Sequence, residues 1–106
     1  MAKDDLSDLG RFSEPALYIL LSLADGPKHG YAMTQDIESV SGQKLGPGTL
    51  YGAIARLEAR KWIEPLPADD RRRPYRLTGA GERVLRHRLA ALRTVARIGR
   101  ARLAEG

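Results

Sequence analysis

The residues best suited to chemistry here are arginines. Arg71, Arg72 and Arg73 are consecutive, and Arg56 and Arg60 stand four apart, behind Thr49 and Tyr51, in the stretch Gly46 to Lys61. A guanidinium presents its donors as a planar fork that matches phosphate oxygens and guanine edges, and the Thr49 and Tyr51 hydroxyls can donate to phosphate. The set therefore suits contact with a polyanion. The plainer alternative is a solvated loop beside an ordinary surface helix, but three adjacent positive charges repel one another unless an anion is near.

Other chemistries lack their residues. There is no cysteine, and His29 and His87 lie far apart, so no disulfide, zinc site or other cofactor is expected. Asp4-Asp5 and Asp69-Asp70 sit on polar stretches that no packed pocket desolvates, which removes the basis for paired-carboxylate catalysis. The glycines at 46, 48 and 52 follow no apolar strand and precede no Gly-Lys-Ser/Thr, so they do not form a nucleotide cradle. An enzyme is not expected.

With 106 residues the chain is expected to form one domain. The net charge of +5 hides an asymmetry: residues 71–103 carry eleven arginines against Glu82, while residues 1–70 carry seven bases against eleven acids. The positive field lies in the last third, as expected for a polyanionic partner, although the preference for Arg over Lys also reflects a GC-rich genome. No apolar run reaches the roughly 18 residues of a membrane span, and the start is acidic, so a cytoplasmic protein with no membrane partner is expected.

Four helices and a hairpin follow from the patterning. Ser13-Glu14-Pro15 opens a first helix with an apolar stripe of Leu17, Leu20, Leu21 and Ala24, widened by Ile19 and Leu23, and Asp25-Gly26-Pro27 ends it. A second helix over 30–41 turns Met33, Ile37 and Val40 inward and stops at Ser41-Gly42. His29, just before it, is expected to cap or pack in the turn. Pro47-Gly48 then breaks the chain and Thr49 is expected to cap a third helix, with Leu50, Ala53, Ile54 and Leu57 inward. Its outward side, Tyr51, Gly52, Ala55, Arg56, Ala59 and Arg60, is small, aromatic and basic, so it can approach an anionic groove closely.

Trp62 to Leu66 and Pro74 to Leu77 read as two short strands, with the three arginines on the turn between them; Trp62 is expected to pack at the hairpin base. Thr78 caps a last helix running to about Leu103. Its apolar positions include Val84, Leu85, Leu89, Leu92, Val95, Ala96 and Ile98, and the part beyond Leu89 extends past a small core. A second copy of the chain would cover it, with Leu85, Leu89, Leu92, Val95 and Ala96 at a twofold interface. Residues 1–12, an N-terminal arm, carry scattered Leu6, Leu9 and Phe12 and read either as a frayed segment or as a short helix that docks on a later element.

The expected fold is mainly α with a small two-stranded β-wing: a winged helix-turn-helix over 13–80, followed over 81–106 by a long C-terminal dimerisation helix. The chain also resembles the PadR-like transcriptional regulators. The resemblance rests on Leu20-Leu21-Ser22-Leu23, His29-Gly30-Tyr31, Gly46-Pro47-Gly48-Thr49-Leu50-Tyr51, Arg56-Leu57-Glu58, Trp62-Ile63 and Tyr75-Arg76-Leu77-Thr78-Gly79-Ala80-Gly81, in the family's order across about residues 13–85. Lys61 departs from the pattern, standing where the family often has glycine, so either the third helix stops differently or Lys61 takes an unfavourable left-handed conformation.

What the resemblance implies is a dimeric bacterial regulator, usually a repressor, that binds double-stranded DNA. Its third helix would enter the major groove and its wing would lie along the backbone. Thr49, Tyr51, Arg56 and Arg60 then fall on the reading helix, Arg71, Arg72 and Arg73 on the wing, and Lys44 in the loop where a backbone contact is expected. Some members bind small aromatic or cationic molecules that release DNA, so such an effector is implied here. The alternative is a winged-helix module that docks an acidic protein partner.

Overall fold

The computed structural model describes residues 5–105; residues 1–4 of the arm, and Gly106, lie outside the described residues. A 3-10 segment, Leu6–Phe12, leads into α1 (Ser13–Leu23), then α2 (Gly30–Ser41), α3 (Pro47–Ala59), β1 (Ile63–Pro65), β2 (Tyr75–Leu77) and α4 (Gly79–Glu105). Of the two readings of the N-terminal arm, the described part, from Asp5 onward, takes that of a short docked helix. Leu6 and Leu9 are buried in the core, and Gly10 kinks the chain at φ +58 before α1.

The core gathers Ala16, Ile19, Leu20 and Leu23 of α1, Met33 and Ile37 of α2, and Leu50, Ala53, Ile54 and Leu57 of α3. These recur at the three- and four-residue spacing that keeps one face inward. Two inward assignments fail. Val40 is 61% exposed, because α2 has run past the core by its last turn, and Ala24 lies outside α1 on the surface.

α2 has the boundaries its sequence suggests. His29 Nδ1 accepts from the Ala32 backbone N–H at 3.4 Å, and Gly42 closes the C-terminus at φ +77. α3 starts three residues earlier than a Thr49 cap requires. Gly46 is the extended cap residue and Pro47 the first helical position, where its missing N–H costs nothing and its fixed φ suits the helix. Thr49 is therefore free of capping duty and exposed on the first turn.

The wing is antiparallel, with Ile63, Glu64 and Pro65 opposite Leu77, Arg76 and Tyr75. Its strands are shorter than the apolar runs suggest. Leu66 keeps the register, its N–H donating to the Pro74 carbonyl at 2.9 Å; beyond it the register slips by one residue, and the tip closes as a two-residue turn in which Asp69 and Arg72 exchange both backbone hydrogen bonds, at 2.7 and 2.9 Å. Asp70 and Arg71, its central residues, both have positive φ, the geometry that matches strand twist in tight hairpins. At the other end Lys28 and Tyr75 exchange backbone hydrogen bonds at 3.1 and 2.9 Å, tying the wing to the turn before α2.

α4 has 27 residues, about 40 Å at helical rise. Only Gly81, Val84 and Leu85 are buried, and every residue from Leu89 to Glu105 is exposed. The radius of gyration of 14.9 Å exceeds the roughly 13 Å of a compact domain of this length because α4 projects from the body.

Lys61 has φ +62, so of the two outcomes open to it the left-handed conformation is the one adopted. A side chain there costs on the order of 1 kcal/mol. Lys61→Gly is expected to stabilise the fold by about 0.5–1 kcal/mol, a rise of about 3–6 °C in thermal midpoint. A lowered midpoint by calorimetry would show that Lys61 contributes contacts outweighing its backbone strain.

Candidate nucleic-acid interface

The outward face of α3 is flanked on both sides by elements distant in sequence. On one side is the wing. Tyr51 of α3, Tyr75 of β2, His29 before α2 and the wing arginines 71, 72 and 73 line one open cleft of about 340 Å³. Arg72 reaches His29, with Nη1 3.3 Å from Nε2, and Arg73 Nη1 donates to the Leu66 carbonyl at 2.9 Å. With Tyr31 also on its border, three cations and three phenols surround a space open enough to admit a backbone phosphate.

Tyr51 reaches this cleft by crossing the N-terminus of α2. Its ring lies so close to Gly30 that a Cβ on Gly30 would collide with the phenol oxygen, so the glycine of the His29-Gly30-Tyr31 run is required by a side chain from another helix. Tyr51 remains 53% exposed. Burial, and then the negative charge of Glu58, push the Tyr75 phenol above its ordinary pKa, with Arg73 opposing. Tyr75, like any tyrosine near neutral pH, is a neutral donor there.

On the other side of α3 stands the 3-10 segment. Arg11, Phe12, Gly48 and Thr49 line a shallow cavity, and the Arg56 guanidinium lies over the Phe12 ring, 3.9 Å from its centroid. Arg56 Nη1 also donates to the Gly52 carbonyl at 3.0 Å. Arg60, one turn on, meets Asp8 at 3.6 Å and lies 5.4 Å from the Trp62 ring centroid. Lys44 is exposed in the loop before α3 and belongs to neither group.

The candidate residues therefore divide in two. Tyr51 and the wing arginines share the cleft, whereas Thr49, Arg56 and Arg60 lie toward the 3-10 segment. Sequence reading missed Tyr75, Arg11 and Phe12, and it took His29 as structural only. His29 does cap α2, and its second ring nitrogen faces Arg72.

The interface stripe also divides. Leu85, expected at the dimer surface, is only 5% exposed because the protomer's own core covers it, whereas Leu89, Leu92 and Val95 are 43%, 42% and 67% exposed. Ala96 is exposed among them. Among the described residues no cluster of His, Asp and Glu could hold a metal, and no helix is long and apolar enough to cross a membrane.

Three packed helices, a two-stranded wing pinned beside the third, and a long following helix define a winged helix-turn-helix protein. The chain belongs to the PadR-like family of transcriptional regulators, whose family model matches residues 19–87. Over 84 residues it is 42% identical to a transcriptional regulator of Mycobacterium tuberculosis, covering 76% of this chain and 78% of that protein. It is also 52% identical over 75 residues to an uncharacterised 37.1 kDa protein of a transposon from Streptomyces fradiae, covering 71% of this chain but spanning only 22% of that protein's length. A PadR family transcription regulator from Clostridium difficile has the same fold, with a TM-score of 0.75 at 22% identity over 83% of this chain and 96% of that one. The family is one of regulators, not enzymes.

Gly30→Ala is expected to cost about 1 kcal/mol or less, by pushing aside the half-exposed Tyr51 side chain, whose far end is what the new methyl meets. Adding Tyr51→Ala should remove that cost, because the obstacle is then gone. A penalty that persists in the double variant, measured by denaturant unfolding, would place the strain in the α2 backbone instead.

Proposed function

We propose that the chain is a dimeric, sequence-specific DNA-binding repressor that reads an inverted-repeat operator. The observation that carries this reading is the convergence of Tyr51, His29, Tyr75 and the wing arginines on one open cleft beside the outward face of α3. That cleft suits a backbone phosphate, and the adjoining face of α3 suits the base edges of a major groove. Lys44, Thr49 and Arg60 are assigned as further backbone contacts, and Arg56 as the base reader. Repression is the mode the family resemblance implies.

The exposed leucines of α4 support a twofold dimer. Leu85, Leu89, Leu92, Ala96, Gly99 and Leu103 recur at alternating spacings of four and three, a continuous stripe of which only the first residue is covered within the protomer. A dyad relating two reading helices calls for half-sites one helical turn, or a multiple, apart. A groove of about 510 Å³ beside this stripe, lined by Leu23, Leu77, Leu85 and Leu89, suits a small effector. Of the charges lining it, Arg86 pairs with Glu82 while Arg76 pairs with Glu64 outside the groove, and with two arginines against one acid a neutral aromatic fits better than a cation.

Fluorescence anisotropy of a duplex from upstream of the gene, against a scrambled duplex and across a salt series, tests the reading. Binding that favours the first by about 10³-fold or more at about 150 mM salt is expected. Arg72→Ala should weaken both duplexes and flatten the salt slope by about 1, whereas Arg56→Ala should relax preference at particular base pairs. Equal, salt-labile binding to both duplexes would favour the protein-docking alternative.

Leu92→Glu should yield a monomer in sedimentation equilibrium and lose about 10²-fold or more in operator affinity, because each half-site then binds alone. A Leu92→Glu protein that stays dimeric would remove α4 from the interface.

A further inference from the structure

The 3-10 segment Leu6–Phe12 meets α3 at both outward arginines. Asp8 pairs with Arg60, and the Phe12 ring forms a platform under Arg56. Arg56 is held at a second point by its own helix, through the Nη1 bond to the Gly52 carbonyl. Gly52 makes the arrangement sterically available: a Cβ there would stand 2.8 Å from Phe12 Cε1, closer than two carbons approach. The absent side chain at 52 is thus not open space facing a groove, since an aromatic ring forty residues earlier in the chain fills it.

This has a consequence for recognition. An exposed arginine samples many rotamers and loses them on binding. A guanidinium stacked on a ring and tethered by one amino group has already lost most of them. Among the described residues, Nε and Nη2 of Arg56 have no hydrogen-bond partner, and two donors along one guanidinium edge are what a guanine O6 and N7 accept together.

Resting on the DNA-binding reading above, we infer that Phe12 is a positioning residue for base recognition: docked over Gly52, its ring holds Arg56 with the Nε–Nη2 edge presented for a guanine. The α3 face is then a composite of a helix and a segment that precedes α1. Discrimination by Arg56 depends on both.

The test uses a duplex enriched from a random pool by the wild-type chain, its single-base variants and a scrambled duplex. Arg56→Ala should lower discrimination at one base pair by about 5- to 100-fold. Phe12→Leu should lower it at the same base pair by about 3- to 10-fold, leave the scrambled duplex unaffected, and add nothing in the Arg56→Ala background. Phe12→Tyr, which keeps the platform, should retain discrimination. Gly52→Ala, which displaces the ring and raises helix propensity, should reproduce Phe12→Leu without loss of thermal stability.

Phe12→Leu weakening all duplexes alike, or losing as much discrimination when Arg56 is absent, overturns the inference. So does an Arg56 Nε–H resonance in the free wild-type protein that lacks the ring-current shift Phe12→Leu should abolish. A wild type that cannot distinguish its enriched duplex from the scrambled one fails the DNA-reading proposal itself, and this inference with it. A discriminating wild type whose Phe12→Leu variant discriminates equally well overturns this inference alone.

Discussion

The structure turns on the joint where α3 hands over to the wing and the wing to α4. Three interactions meet within a few residues. The Lys61 carbonyl accepts from Thr78 Oγ1 at 2.7 Å, the Trp62 carbonyl accepts from the Thr78 backbone N–H at 3.1 Å, and Gly81 lies so close to the Trp62 carbonyl that no other residue fits. Thr78 Oγ1 also accepts from the Gly81 N–H at 3.0 Å, so one hydroxyl closes the hairpin and caps α4. Because the same residues aim the wing and launch α4, the reading face and the exposed apolar stripe are rigidly related, with no flexible linker between them. The strained Lys61 backbone is part of this joint, since a tight reversal is needed to bring β1 back beside α3.

Around that frame the arginines are ordered without being consumed. Arg56 rests on Phe12, Arg60 on Asp8, Arg72 on His29 and Arg73 on the Leu66 carbonyl. Contacts of this exposed kind are worth at most about 1 kcal/mol each, so they add little stability, and a phosphate can replace them at small cost. What they supply is preorganisation: the side chains are partly immobilised before an anion arrives. Tyr75 serves the same end differently. Its phenol, neutral near pH 7 as any tyrosine is, offers a donor among cations without adding to their mutual repulsion.

Local signals carried much of the fold. The boundaries of α2, the hairpin with its arginine-bearing turn, the Thr78 cap and the core stripe of α3 were legible because periodicity, capping and turn chemistry act within a few residues. The Thr49 cap failed because two start signals overlapped and the proline's fixed φ prevailed. Val40 failed because periodicity shows a face but not how far the core reaches along it. The Phe12 platform was illegible for a stronger reason. Nothing near Phe12 marks it, and Gly52, its receptor, reads equally well as a small residue facing a groove. Only the fold, bringing together positions forty apart, decides between those meanings.

The charge pattern of α4 constrains the proposed dimer further than its leucines do. With Leu85, Leu89, Leu92, Ala96, Gly99 and Leu103 as the seam, the flanking positions are Arg86, Arg93 and Arg100 on one side and Arg88, Val95 and Arg102 on the other. Side-by-side pairing sets flank against flank in either orientation, and apart from Val95 every one of these flanking positions is arginine, with no acidic partner of the kind that stable coiled coils place opposite. A long parallel or antiparallel zipper is therefore disfavoured. A crossing contact centred on Leu89 to Ala96 escapes the difficulty, because the arginine flanks diverge on leaving it and their long stems can cover apolar surface while the guanidinium groups stay in water. The small residues Ala96 and Gly99 allow such a close approach, as bulkier side chains at those two positions would not.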